Sequence, residues 1–245
     1  LSDTADPQNL EIPVIGDDLH RIIDQGELRV EGRFVDASNA TLFGMVSLDE
    51  KEHHVIYKPI AGERPLWDFP DGNLAQRERA AYLLSHELGL DLVPYTIVRD
   101  GPFGPGMVQR WIEIDERIDV IELAQSSHSR IRELALFDAI INNTDRKYGH
   151  ILPQSEESLY ACDHGVTFHH EDKLRTVIWQ FAGELFTDQE RELLIAARKL
   201  PATSFSSLIS AKEIKALRRR IDSMLERSSF PEPSDDWPAV PWPPF

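Results

Sequence analysis

Apolar and polar residues alternate with a period of two in the first quarter of the chain. Leu28, Val30, Gly32 and Phe34 share one face, Thr41, Phe43 and Met45 continue past a turn at Asp36-Ala37-Ser38-Asn39, and Val55-Ile56-Tyr57 run into Lys58. This pattern predicts a three-strand meander over 27–59. Ahead of it, residues 1–16 read as a loose lead-in. Asp17 and Asp18 then cap a short helix to Gln25 that Gly26 stops. A Gly- and Pro-containing loop over 61–72 precedes a helix from Asn73 to Leu88, with Leu74, Ala81, Leu84 and Leu88 among its apolar residues and Gly89 at its end. Leu92–Val98 and Gly106–Ile112 read as two further strands around a glycine-rich turn, Asp100 to Gly106.

Beyond residue 112 the period changes to that of helices. One helix is expected to open at Ser127 or Ser129 and run to Ile141. Its last turns, Leu134-Ala-Leu-Phe-Asp-Ala-Ile-Ile141, are apolar on nearly every side, so it belongs at the centre of its half. Two short strands follow, around Asp145 and Asp163. Thr187 with Glu190 and Ser210 with Glu213 are capping boxes, each opening an amphipathic helix. After Arg227 the chain becomes rich in Pro and Trp and ends Trp237-Pro-Ala-Val-Pro-Trp-Pro-Pro-Phe245. No internal repeat is visible. The expected architecture is α+β: a β-rich part over 1–112, a helical part over 113–230, and a tail over 231–245.

Composition narrows the functional classes. With 245 residues the chain can bury a full core, and no apolar run approaches membrane-spanning length. Its opening residues do not read as a signal peptide. The single cysteine, Cys162, excludes an internal disulfide and suits a reducing cytoplasm. A net charge of −16 disfavours nucleic acid and anionic membranes as partners. A bound nucleotide is still compatible with it, because lysine, metal ions and backbone amides can override the global field locally.

The chemistry concentrates in Asn143-Thr144-Asp145-Arg146-Lys147-Tyr148-Gly149-His150 and Cys162-Asp163-His164-Gly165. The first offers a carboxylate and, five residues on, a metal-binding group. The second offers another carboxylate after an apolar strand. Phosphoryl transfer needs a carboxylate to orient the attacking hydroxyl and ligands for the ions that clamp the phosphates. Strand-borne Lys58 and helix-borne Glu78 complete the set, in the order such a reaction would use. Each has a plain structural reading as well: a surface lysine, a solvated helix glutamate, turn-forming aspartates, a core histidine at 150. His53-His54 and His169-His170 lack partners at ligand spacing and read as surface pairs. Cys162 reads as a small buried hydrophobe.

On these residues the chain resembles the atypical kinases: phosphatidylinositol 3-/4-kinases, HipA-type toxin kinases and secretory-pathway casein kinases. More narrowly it resembles an actinobacterial family described as phosphatidylinositol 3-/4-kinase-like, over roughly residues 27–185. The resemblance implies a two-lobed fold and an ATP- and divalent-metal-dependent transfer of a phosphoryl group to a hydroxyl, on a protein Ser/Thr or a small alcohol. Lys58 matches the lysine that grips the ATP phosphates, Glu78 its helix partner, Asp145 the catalytic aspartate, and Asp163 the metal-binding aspartate. Ser38, Asn39 and Thr41 stand in a phosphate-covering turn without the usual glycines, and Gln109 is assigned to the nucleotide site. His150 stands where relatives carry Asn or Glu. As a metal ligand it would favour Mn²⁺ over Mg²⁺ and release the ion on protonation near its ordinary pKa of about 6.5. His164 replaces a common Phe, and Lys147 a common His. Two alternatives stay open: a non-catalytic nucleotide-binding pseudokinase and a nucleotidyl transferase on the same fold. The aromatic tail is expected to fold back on its own domain.

Overall fold

The computed structural model describes residues 15–34, 40–69 and 73–245. Helix α1 (Ile15–Gln25) leads into a five-stranded antiparallel sheet of β1 (Glu27–Arg33), β2 (Leu42–Leu48), β3 (Lys51–Pro59), β4 (Thr96–Gly101) and β5 (Gly104–Arg110), in the order β1-β2-β3-β5-β4. Helix α2 (Leu74–Glu87) is inserted between β3 and β4. The expected turn at residues 36–39 lies outside the described residues.

The alternation along β3 divides the sheet's two faces. Val55 and Tyr57 pack with Val108, Leu28, Val46 and the α1 residues Ile22 and Ile23. The opposite face carries Ile56 and Lys58, whose partners on β5 are Gln109 and Met107. Gly106 is required here. A Cβ at that position would stand 2.5 Å from the Lys58 carbonyl oxygen, so only glycine lets β5 run this close to the end of β3.

Asn73 caps α2 by accepting a hydrogen bond from Gln76 N, and Gly89, at φ +65°, ends it. The following strand starts later than the apolar run suggests. Leu92 and Val93 are buried in a loop, and β4 begins only at Thr96, after Pro94. The glycine-rich turn is correspondingly tighter, with only Pro102 and Phe103 between β4 and β5.

The second half holds α3 (Val120–Ala124), α4 (Ser129–Ile141), the two-stranded pair β6 (Ile151–Pro153) and β7 (Leu159–Ala161), α5 (Asp188–Lys199) and α6 (Ala211–Arg227). Helix α4 is the buried centre. Ile131, Leu134, Leu136, Phe137, Ile140 and Ile141 are all inaccessible or nearly so. Its N-cap is neither serine but His128, whose Nδ1 accepts from Arg130 N. Both capping boxes form as expected. Helix α3 is five residues long, too short for its periodicity to register. No described helix is long and apolar enough to cross a membrane.

Candidate active site

Three chain segments far apart in sequence meet at one ammonium group. Lys58 Nζ donates to Glu78 Oε1 and to Asp163 Oδ1, both at 2.8 Å. Glu78 is buried, with its second oxygen accepting from His164 N at 2.8 Å. Asp163 is about half-exposed and holds φ +60°, a left-handed conformation that is uncommon for a non-glycine residue. Burial opposes the charge on Lys58, but the Asp163 and Glu78 carboxylates overcome it and hold the ammonium firmly protonated. In return the Lys58 charge holds Asp163 far below the usual carboxylate range.

The expected order of strand lysine, helix glutamate and loop aspartate is thus a spatial cluster. His150 joins it, its Nε2 3.3 Å from Asp163 Oδ2. Burial pushes this imidazole down to about 4, despite the pull of Asp163. The imidazole therefore favours its neutral form below the ordinary histidine pKa of about 6.5. Its Nδ1 is buried without a hydrogen-bond partner among the described residues.

Asp145 sits on the adjoining loop. Its backbone N donates to Asn143 Oδ1, and its carboxylate lies 3.6 Å from Lys147 Nζ. Burial raises its pKa, Lys147 opposes that, and Asp163 adds to it. A carboxylate tuned upward in this way is the better proton acceptor.

The loop that carries Asp145 is held from beneath by Arg146, which has no solvent exposure. Its guanidinium bonds both oxygens of Asp138, the Cys162 carbonyl at 2.9 Å, and His164 Nε2 at 2.7 Å. Because a guanidinium only donates, His164 Nε2 accepts and its proton resides on Nδ1. Burial, reinforced by Arg146, keeps His164 neutral. One side chain therefore ties α4 and the Asp145 loop to the Asp163 segment. The sequence signal was Asp138, a carboxylate in the otherwise apolar last turns of α4, which requires a buried partner.

Gln109 lies on the sheet face that bears Lys58. It is buried, with its amide donating to Thr96 Oγ1 at 2.8 Å. Thr41 is half-buried and its carbonyl accepts from Phe34 N. Ser38 and Asn39 lie outside the described residues. Glu63 carries no sequence signature, yet it lines the same recess as Lys58, Glu78 and Asp163 and accepts from Leu74 N and Ala75 N at the start of α2. A larger groove of about 800 Å³ lies elsewhere, between α5 and α6, and contains none of these residues.

Burial pushes the Cys162 thiol up to about 12, so it is not a nucleophile. The reading of His169-His170 as a surface pair fails for His169. It is buried edge-on against Phe69, its Nδ1 accepts from Glu171 N, and Glu171 lies close to both rings. Lys173 Nζ stands 3.2 Å from the Glu171 carboxylate and already supplies the positive charge there.

The C-terminal tail returns to the loop that carries Asp145. Ala239 O accepts from Thr176 N and Trp179 Nε1, Pro244 O accepts from Tyr148 N, and Phe245 packs beside Tyr148. Trp237 covers Lys173 at 4.4 Å. Trp242 does not fold back and is 89% exposed.

This α+β arrangement, a five-stranded antiparallel sheet followed by helices, is a kinase-like fold. It is similar to the crystal structure of the Golgi casein kinase, with a TM-score of 0.53 at 12% sequence identity, over 91% of this chain and 75% of that one. The Helicobacter pylori proinflammatory kinase CtkA aligns with a TM-score of 0.48 at 13% identity, over 84% of this chain and 93% of that one. No family model matches the chain. In sequence it is 41% identical to protein Rv2133c of Mycobacterium tuberculosis, over 94% of this chain and 96% of that protein. The chain belongs to the family of Rv2133c.

Proposed function

We propose that this protein is an ATP-dependent kinase that transfers a phosphoryl group to a hydroxyl acceptor, with Asp145 as the base. The observation that carries the reading is the placement of Lys58, 2.8 Å from both Glu78 and Asp163, with Asp145 on the neighbouring loop. Lys58 would neutralise phosphate charge as a point cation, and Glu78 fixes its direction. Asp145 would take or steer the proton of the attacking hydroxyl, a contribution of roughly 10²–10⁴ in rate. Gln109 and Thr41, with Ser38 and Asn39, are proposed to line the nucleotide side.

Asp163 and His150 fit a divalent cation. The Asp163 carboxylate is ionised, the imidazole is neutral, and Oδ2 and Nε2 lie 3.3 Å apart, a separation that two atoms of one coordination sphere can have. Bound there, Mn²⁺ or Mg²⁺ would supply charge stabilisation to the transferring phosphoryl group. The nitrogen donor favours Mn²⁺.

The acceptor in this reading is a protein Ser/Thr or a small alcohol. The net charge of −16 weighs against a lipid presented on an anionic membrane, although the loop motifs resemble phosphatidylinositol kinases. A reducing cytoplasmic setting accords with the inert, lone Cys162.

A second reading has a specific observation in its favour. His150 stands 3.3 Å from Asp163 at the position where relatives carry Asn or Glu, a departure from their ligand set that would suit a non-catalytic nucleotide-binding module. Intact mass after incubation with ATP and Mg²⁺ or Mn²⁺, together with transfer from γ-labelled ATP to added acceptors, separates these readings. A gain of phosphate or labelled acceptor supports the kinase. A gain of a nucleotide points to nucleotidyl transfer. Nucleotide binding without any transfer supports the module.

A further inference from the structure

Helix α2 follows the β3 strand, yet its buried apolar side chains belong to the core of the other half of the molecule. Ala80, Ala81, Tyr82 and Leu84 share one buried cluster with Leu134 and Phe137 of α4 and Leu217 and Ile221 of α6. The sheet has its own cluster, built on α1 with β1, β2, β3 and β5. Helix α2 also lies along β4 and β5 of the sheet, where Arg79 donates to Thr96 O and Tyr82 stands edge-on to Tyr95 at 5.2 Å, and Glu78 reaches Lys58 of β3.

Polar contacts follow the same division. Arg77, the residue before Glu78, donates through Nη1 to Thr167 O at 2.9 Å and to Glu213 Oε1 at 2.5 Å. Both side chains of that ion pair are almost inaccessible, 3% and 6% exposed. The other oxygen of Glu213 accepts from Ser210 N and closes the capping box of α6. Phe69, just before α2, lies under the Arg77 guanidinium at 4.9 Å and against His169. Glu78 itself accepts from His164 N. Breaking a buried ion pair by removing one partner leaves an uncompensated buried charge, so the Arg77–Glu213 contact strongly favours keeping α2 against the start of α6.

We infer that α2, with Glu78, moves as part of the helical lobe, and that Arg77 is the positioning residue that fixes it there. Of the set Lys58, Glu78 and Asp163, the sheet then delivers only Lys58. Opening the lobes would part Lys58 from both carboxylates together, and α2 does not swing as a separate switch. The consequence for catalysis rests on the kinase reading, but the mechanical assignment does not.

Backbone amide hydrogen exchange on the full chain tests this. In the nucleotide-free protein, Arg77→Gln should speed exchange in Leu74–Glu87 and in the first turn of α6 by at least about tenfold, while β1–β3 change less than twofold. If Arg77→Gln does not fold, Arg77→Lys, which keeps one charge contact, should show a smaller effect in the same peptides. Adding ATP with Mg²⁺ to the parent should slow exchange in β1–β3 and leave α2 within twofold. The inference is overturned if the variants leave α2 unchanged, if they loosen the sheet equally, or if nucleotide protects α2 strongly while α4 is unaffected. A parent that gains no protection anywhere with nucleotide would instead defeat the kinase reading and leave the variant result standing.

Discussion

Arg146 grips Asp138 with two parallel hydrogen bonds, Nε to Oδ2 at 2.8 Å and Nη2 to Oδ1 at 2.9 Å, and neither side chain reaches solvent. Asn143 Nδ2 also donates to Asp138 at 2.9 Å. The Asp145 loop therefore rests on a buried carboxylate in α4. Removing that carboxylate leaves a buried guanidinium without its counter-charge, so Asp138→Ala should cost about 3–5 kcal/mol. Equilibrium urea unfolding measures it. Arg146→Lys should fail to restore stability, because an ammonium cannot span Asp138, the Cys162 carbonyl and His164 together. A cost below about 1 kcal/mol for Asp138→Ala would show that the pair is not what holds the loop.

The two loop aspartates should separate binding from chemistry. Asp163→Ala removes a carboxylate that faces Lys58 and His150, so metal-dependent nucleotide binding should be lost. Asp145→Asn keeps the shape of the loop and its backbone bond to Asn143. Nucleotide affinity should then stay within about twofold, while transfer falls by roughly 10²–10⁴. Titration with a fluorescent nucleotide and a turnover assay on the same preparations decide the matter. Undiminished turnover in Asp145→Asn would remove Asp145 from the mechanism.

The strands, the main helices and the residues that meet at Lys58 were legible because each leaves a local trace: period-two alternation, a capping box, a carboxylate beside a glycine. What escaped was set by distant partners. Arg77 looks like one more charge on a solvated helix, and its burial becomes visible only once Glu213 and Thr167 are seen beside it. Glu63 caps a helix from eleven residues away. His169 was misread for the same reason, since the Phe69 that buries it lies a hundred residues earlier. The late start of β4 reflects tertiary demand. Leu92 and Val93 serve the helical core, where the Leu92 carbonyl accepts from Ala161 N, so they are unavailable to the sheet.

Acid should destabilise the fold through His150. Burial holds its imidazole down at about 4, whereas the unfolded chain titrates near 6.5. Between these values the unfolded state binds a proton that the folded state does not, so stability is complete above about pH 6.5 and falls as pH drops toward about 4. His164 is shifted in the same direction, by burial and Arg146. Asp163, depressed by Lys58, adds a further loss below the ordinary carboxylate range. Urea midpoints from about pH 7 to about pH 4.5 should show the parent losing roughly 2–3 kcal/mol more than His150→Gln. Parallel profiles for the two proteins would mean that His150 is protonated in the folded state as readily as in the unfolded chain.

The tail should matter to turnover more than to nucleotide binding. Its acceptors reach the segments beside Asp145: Pro244 O takes Tyr148 N at 3.0 Å, and Ala239 O takes Thr176 N at 3.0 Å and Trp179 Nε1 at 2.8 Å. Thr176 in turn bridges to Arg146, directly after Asp145. None of these contacts touches Lys58, Glu78 or Asp163. A chain ending at Asp236 loses three hydrogen bonds and the Trp237 ring over Lys173, a cost of about 1–3 kcal/mol, because water can replace part of each bond. Its turnover should fall at least about tenfold as Asp145 loses its fixed position, since small misplacements at a reacting centre are expensive. Its nucleotide affinity should remain within about twofold. Trp242→Ala serves as the control, for that ring is exposed and should change neither quantity. If truncation weakens nucleotide binding as much as turnover, the tail supports the whole fold and has no particular hold on the Asp145 loop.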